Sequence, residues 1–123
     1  MPIDTVIPES GRRMYENFHF APAVRHGDLV LCSGQIGRGD TAEDEFRDAW
    51  QAIGRTLEAA EVGFEDILEF TSYHVDMREH IQTFMTVKDE FIKEPYPAWT
   101  AIGISELAFP GARVEIRVTA RRP

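Results

Sequence analysis

"YPAWTAIGISELAFPGARVEIRV", residues 96–118, decides how the rest of the chain is read. An apolar-rich run ends at Ala108-Phe109-Pro110-Gly111, a turn combination, and a strictly alternating run follows. In the second run Val114, Ile116 and Val118 point one way, while Arg113, Glu115, Arg117 and Thr119 point the other. A strand divided in this manner puts one face on a core and the other toward water or a partner. Two residues stand out against that pattern: Trp99, at the mouth of the first strand, and Glu115, in the middle of the second.

Working back from these two strands, Pro95 and Pro97 forbid a helix from running into them. A helix is expected at about 78–93, with Ile81, Phe84, Val87 and Phe91 on its inner face. Before it, "ILEFTSYHVDM" is rich in β-formers and predicts a strand near 67–76. A longer helix at about 42–61 carries Phe46, Trp50, Ile53, Leu57 and Ala60 at the helical period. Thr41 can cap its start, with Asp44 three residues on. "AVRHGDLVLCSGQI" gives a hairpin, with strands near 23–26 and 29–35 about a Gly-Asp turn. Residues 1 to about 22 read as irregular, with room for one short strand. The order is β-β-α-β-α-β-β. It describes an α+β domain, a mainly antiparallel sheet with two helices on one face.

The 123 residues make one domain, 1–123, and burying roughly two thirds of the unfolded surface suffices for an ordinary core. The net charge of −8, from 21 acidic and 13 basic side chains, argues against nucleic-acid and anionic-membrane partners, which are held largely by Lys and Arg. The lone Cys32 cannot form an internal disulfide, and there is no signal-like or membrane-spanning apolar run. A cytoplasmic location is expected.

Among candidate motifs, the glycines of "CSGQIGRG" lack the spacing of either phosphate loop and have no lysine. Cys32 beside Ser33 invites a nucleophile reading, which needs a base within reach. The plainer reading is a small buried packing residue. His19, His26, His74 and His80 show no ligand spacing, so neither a metal nor a cofactor is expected, and His74 reads as a hydrogen-bonded structural residue. For Trp99 the plain alternative is packing, and for Glu115 a solvated strand position.

Taken together, "LVLCSGQIG", the stretch 45–77, "FMTVKDEFI" and "YPAWTAIGISELAFPGARVEI" resemble the Rid family, also called YjgF-like, from about residue 18 to 121. The resemblance implies a chorismate-mutase-like fold and a homotrimer with small-molecule clefts between subunits. The best-understood members hydrolyse enamines and imines such as 2-aminoacrylate to 2-keto acids and ammonia. Their Pro-Ala-Arg-Ser motif supplies an arginine for the substrate carboxylate, whereas here Pro97-Ala98-Trp99-Thr100 places Trp99 in that slot. By the same likeness Glu115 orients the attacking water and Ser33 and Gly34 line the cleft. Phe20 stands for an entrance tyrosine, Met85 for an asparagine, and Arg117 for a second glutamate. Arg117, about 7 Å from Glu115 on the same strand face, is a candidate replacement clamp. The resemblance thus implies a divergent hydrolase of imines, enamines or related carbonyl compounds that is not a standard 2-aminoacrylate deaminase. The alternative is a trimer that binds a metabolite without chemistry.

Overall fold

The computed structural model describes residues 2–123. Its strands are β1 (Asp4–Val6), β2 (Ala23–His26), β3 (Leu29–Cys32), β4 (Gln35–Ile36), β5 (Ile67–Val75), β6 (Ala98–Ile104) and β7 (Val114–Arg121). The helices are α1 (Arg12–Phe18), α2 (Ala42–Ala59) and α3 (Met77–Lys88). The strands form one sheet in the order β1-β2-β3-β7-β5-β6, with β4 continuing along β7 beyond β3. Among the described residues only β5 and β6 run parallel; α3 makes the crossover between them.

The helical period of α2 works as expected. Phe46, Trp50, Ile53 and Leu57 are all buried, and Thr41 Oγ1 accepts a hydrogen bond from the backbone N–H of Asp44 at 3.1 Å. Trp50 lies edge-on to Phe70 of β5 at 5.2 Å, and Phe84 of α3 edge-on to His74 at 4.8 Å. Both helices therefore cover the sheet face that carries Phe70, His74, Val114, Ile116 and Val118. The opposite face presents Val24, Leu31, Tyr73, Glu115 and Thr119, all half-buried, and Ile102, 41% exposed.

Three local expectations shift. Residues 12–18 form α1, a third short helix with no buried residue, closed by His19 at φ 61°. Its dispersed apolar residues gave no periodic signal. The helix expected to reach 93 ends at Lys88 and continues only as turns, with the N–H of Ile92 on the Lys88 carbonyl at 2.9 Å. The strand expected over 29–35 breaks at Ser33-Gly34. Leu31 pairs with Thr119 but Gln35 with Ile116, so four steps on one strand match three on the other. The bulge seats Gly34 against Glu115: a Cβ at Gly34 would lie 2.5 Å from Glu115 Oε2 and 2.8 Å from its Cγ.

Candidate active site

The seven residues singled out in the sequence fall into two groups. Ser33 donates its hydroxyl to the Ala21 carbonyl at 2.6 Å, and its N–H to Pro22 at 2.9 Å, which holds Phe20 beside the bulge. Gly34 lies against Glu115, which is flanked in register by Ile36 on one side and Tyr73 on the other. Arg117, exposed, follows on the same sheet face opposite Thr71. Phe20, 39% exposed, Ser33, Gly34, Glu115 and Arg117 thus gather where β3, β4 and β7 meet.

Trp99 and Met85 form the second group, at the β6 edge beside α3. Trp99 pairs with Phe70, itself opposite Val118, so its side chain is on the helix-covered face. Glu115 pairs with Tyr73, three residues further along β5, and points to the other face. One chain does not bring Trp99 and Glu115 together.

The indole is tightly specified. It stacks on Phe70 at 5.6 Å with 14° between planes, leans on Phe84 at 5.8 Å, and has Lys88 Nζ 5.0 Å above it. Its Nε1–H donates to Ser72 Oγ at 2.8 Å, and the same hydroxyl bonds His74 Nε2 at 2.7 Å. Ser72 and His74 are fully buried, and burial, with His80 nearby, lowers the His74 pKa to about 4. His74 is therefore neutral, and the chain His74–Ser72–Trp99 consumes the indole's one donor internally. The expected structural role of His74 holds; its link to Trp99 was hidden, because only the pairing of β5 with β6, Phe70 opposite Trp99, brings the Ser72 hydroxyl within reach of the indole.

Cys32 packs as expected. Burial pushes its thiol up to about 12, Arg117 offsetting this only in part, so at neutral pH it carries no thiolate. Among the described residues no group of three or more His, Cys, Asp or Glu could hold a metal ion. Among the described residues no helix is long and apolar enough to cross a membrane. A cavity of about 620 Å³ lies under the 105–113 loop near His80 and Asp76, and none of the seven residues lines it.

Two further residues escaped the sequence reading. Glu45, 3% exposed in the first turn of α2, accepts hydrogen bonds from the Arg113 N–H and Nη1, both at 2.7 Å, and so anchors the start of β7. Lys88 lies one turn from Met85, a spacing that could have drawn attention to it.

Gly34 offers a direct check on this packing. Gly34→Ala should leave the melting temperature within a few degrees, since the atoms met belong to the Glu115 side chain, which can turn aside, and not to backbone. A crystal structure of the variant should show the carboxylate displaced. An unmoved Glu115, or a collapsed fold, would contradict the close approach described.

The match to known proteins covers the whole assembly of elements. Residues 11–122 match the family model described as Endoribonuclease L-PSP. The chain is 39% identical to the Escherichia coli RutC family protein YjgH, covering 96% of this chain and 94% of that one. It is 28% identical, over 79% of its own length and 80% of the relative's, to a Dermatophagoides farinae protein named 2-iminobutanoate/2-iminopropanoate deaminase. Among solved structures, that of the protein YjgH superimposes with a TM-score of 0.91 at 35% identity, covering 100% of this chain and 98% of that one. A Mycobacterium tuberculosis member of the YjgF/YER057c/UK114 family gives 0.88 at 26%, covering 98% and 99%.

Proposed function

Because the chain belongs to the Endoribonuclease L-PSP family, the Rid or YjgF-like proteins, we propose that it is a hydrolase of imines, enamines or related carbonyl compounds, working at a cleft completed between copies of itself. The single observation that carries this reading is the placement of Glu115. It stands half-buried beside Gly34, with Phe20 near, on a sheet face that neither α2 nor α3 covers. Trp99 and Met85 lie on the other face, so a ligand that meets both groups requires two chains, and the homotrimer is the assembly we propose.

The chemistry asks little of the protein. Glu115 accepts a proton from a water molecule whose oxygen adds to the C=N carbon, while the nitrogen takes up a proton. Collapse of the carbinolamine expels ammonia and leaves a carbonyl compound. The mite relative's name, an iminobutanoate and iminopropanoate deaminase, supports that class. The family's endoribonuclease label is not carried over: a net charge of −8 gives phosphates no electrostatic attraction. The absence of arginine at position 99 separates this chain from deaminases that clamp the substrate carboxylate bidentately.

The test is a coupled assay in which an amino-acid oxidase generates imines in situ from a panel of amino acids, with carbonyl product followed over time. We expect this protein to accelerate release above the spontaneous rate for some members of the panel. A second reading, a binding trimer without turnover, is favoured by one observation: the Trp99 N–H is already spent on Ser72. It would show as no acceleration anywhere in the panel, together with thermal stabilisation by a small molecule.

A further inference from the structure

We propose that Tyr73 is a second catalytic residue of this site, the proton donor to the substrate nitrogen, an inference that rests on the reading above and completes its proton transfers. Addition of water to a C=N bond removes a proton at oxygen while the nitrogen gains one, and Glu115 can serve only one end at a time. The register supplies the second group. Ile36 of β4, Glu115 of β7, Tyr73 of β5 and Ile102 of β6 lie opposite one another in a single row across the sheet face that the helices leave uncovered. Directly opposed side chains start about 4.5–5.5 Å apart at Cβ. Glu115 and Tyr73 are both half-buried, with an isoleucine bordering the pair on either side.

Both polar groups are uncommitted. Among the described residues neither the Tyr73 hydroxyl nor the Glu115 carboxylate takes part in a side-chain hydrogen bond or an ion pair. The ring carries the hydroxyl further from the sheet than the carboxylate reaches, and that difference leaves room for a small molecule between them. Other donors are unsuited. Ser33 gives its hydroxyl to the Ala21 carbonyl at 2.6 Å, and Cys32 and His74 are buried in the core. Arg117, diagonal to Tyr73, keeps its charge, and Thr71 is an alcohol. A phenol holds its proton at neutral pH yet gives it up more readily than an alcohol does. The charged groups that face Tyr73 are Glu115 and Arg117 of β7; β6 presents Ile102, and Glu69, four residues back on β5, is exposed.

The protons balance. In the first step the water oxygen bonds to carbon as its proton passes to Glu115, and the Tyr73 proton passes to nitrogen. Glu115, now a carboxylic acid, returns a proton to the Tyr73 phenolate. In the second step the carbinolamine hydroxyl gives its proton to Glu115, the C–N bond breaks, and the departing nitrogen takes the proton of Tyr73. The same return restores both residues, with one water consumed and one ammonia released.

The test is the imine-coupled assay on the full chain at about pH 6 and about pH 9. Its imines are made in situ from alanine, 2-aminobutanoate, leucine and phenylalanine, and the spontaneous rate is subtracted. Tyr73→Phe removes one oxygen and should lower the excess rate about 100-fold at the higher pH, the lower end for a positioned acid. At the lower pH the imine nitrogen takes its proton from solvent, so the same variant should stay within a few-fold of wild type. 3-Fluorotyrosine at residue 73, a more acidic phenol, should move the high-pH fall in rate to lower pH. A packing role would not do this, and it keeps the inference testable if Tyr73→Phe does not fold. Equal rates of Tyr73→Phe and wild type at the higher pH, or an equal loss at both, overturn the role of Tyr73 and leave the proposed function standing. A high-pH defect in Lys88→Met but not in Tyr73→Phe gives the proton to the ammonium and overturns it likewise. No acceleration by wild type at either pH overturns the proposed function as well.

Discussion

Glu45→Ala should lower the melting temperature by about 10 °C. Glu45 is 3% exposed and its two oxygens accept from the backbone N–H and the guanidinium of Arg113, with the N–H of Val114 at 3.4 Å. Removing one member of a buried ion pair costs about 3–5 kcal/mol. Arg113 is itself 30% exposed and can find water, so the lower end, about 3 kcal/mol, applies here. For a domain of this size each kcal/mol shifts the midpoint by roughly 3–5 °C. Glu45→Gln keeps an acceptor for the backbone and should lose about half as much. Thermal denaturation followed by circular dichroism is the measurement; a Glu45→Ala midpoint within 2 °C of wild type would show that the clamp contributes nothing.

Glu115→Gln should act on the rate and not on the fold. The substitution keeps size and polarity but removes the carboxylate that accepts a proton from water, a change worth about 10²–10⁴ in rate for a positioned base. Glu115 makes no ion pair among the described residues, so the melting temperature should move by no more than a degree or two. The assay is the imine-coupled one, run with equal amounts of wild type and variant. A variant that retains the full excess rate over the spontaneous reaction would remove Glu115 from the chemistry, whatever its place on the sheet.

How far the sequence could be read depends on the range of the interaction. α2 was legible because its stripe of Phe46, Trp50, Ile53 and Leu57 repeats every turn, and Thr41 marks its start by a contact only three residues long. β7 was legible because Val114, Ile116 and Val118 alternate with Glu115 and Arg117. α1 was not, since a seven-residue helix with no buried side chain leaves no period to detect. The break between β3 and β4 was also silent, because it is a shift of register against β7, where Gly34 meets Glu115, 81 positions later in the chain.

The candidate site divides along the same line. Family likeness supplied Glu115, Ser33, Gly34, Phe20 and Met85 by position, and alternation alone put Glu115 on the face away from the helices. Which face Trp99 occupies, and that its N–H is spent on Ser72, came only with the pairing of β5 and β6. Glu45 reads in the sequence as one more acid in an acidic first turn, and only the arrival of Arg113 from 68 positions away makes it a buried clamp. By itself the sequence determined the α+β class, the helix-facing core stripes and the family. The tertiary structure decided that Trp99 and Glu115 lie on opposite faces and that Lys88 stands over the indole. The physical reason is that periodicity and capping act within a few residues, whereas register, burial of a single charge and the sharing of one hydroxyl between two rings arise only when distant segments meet.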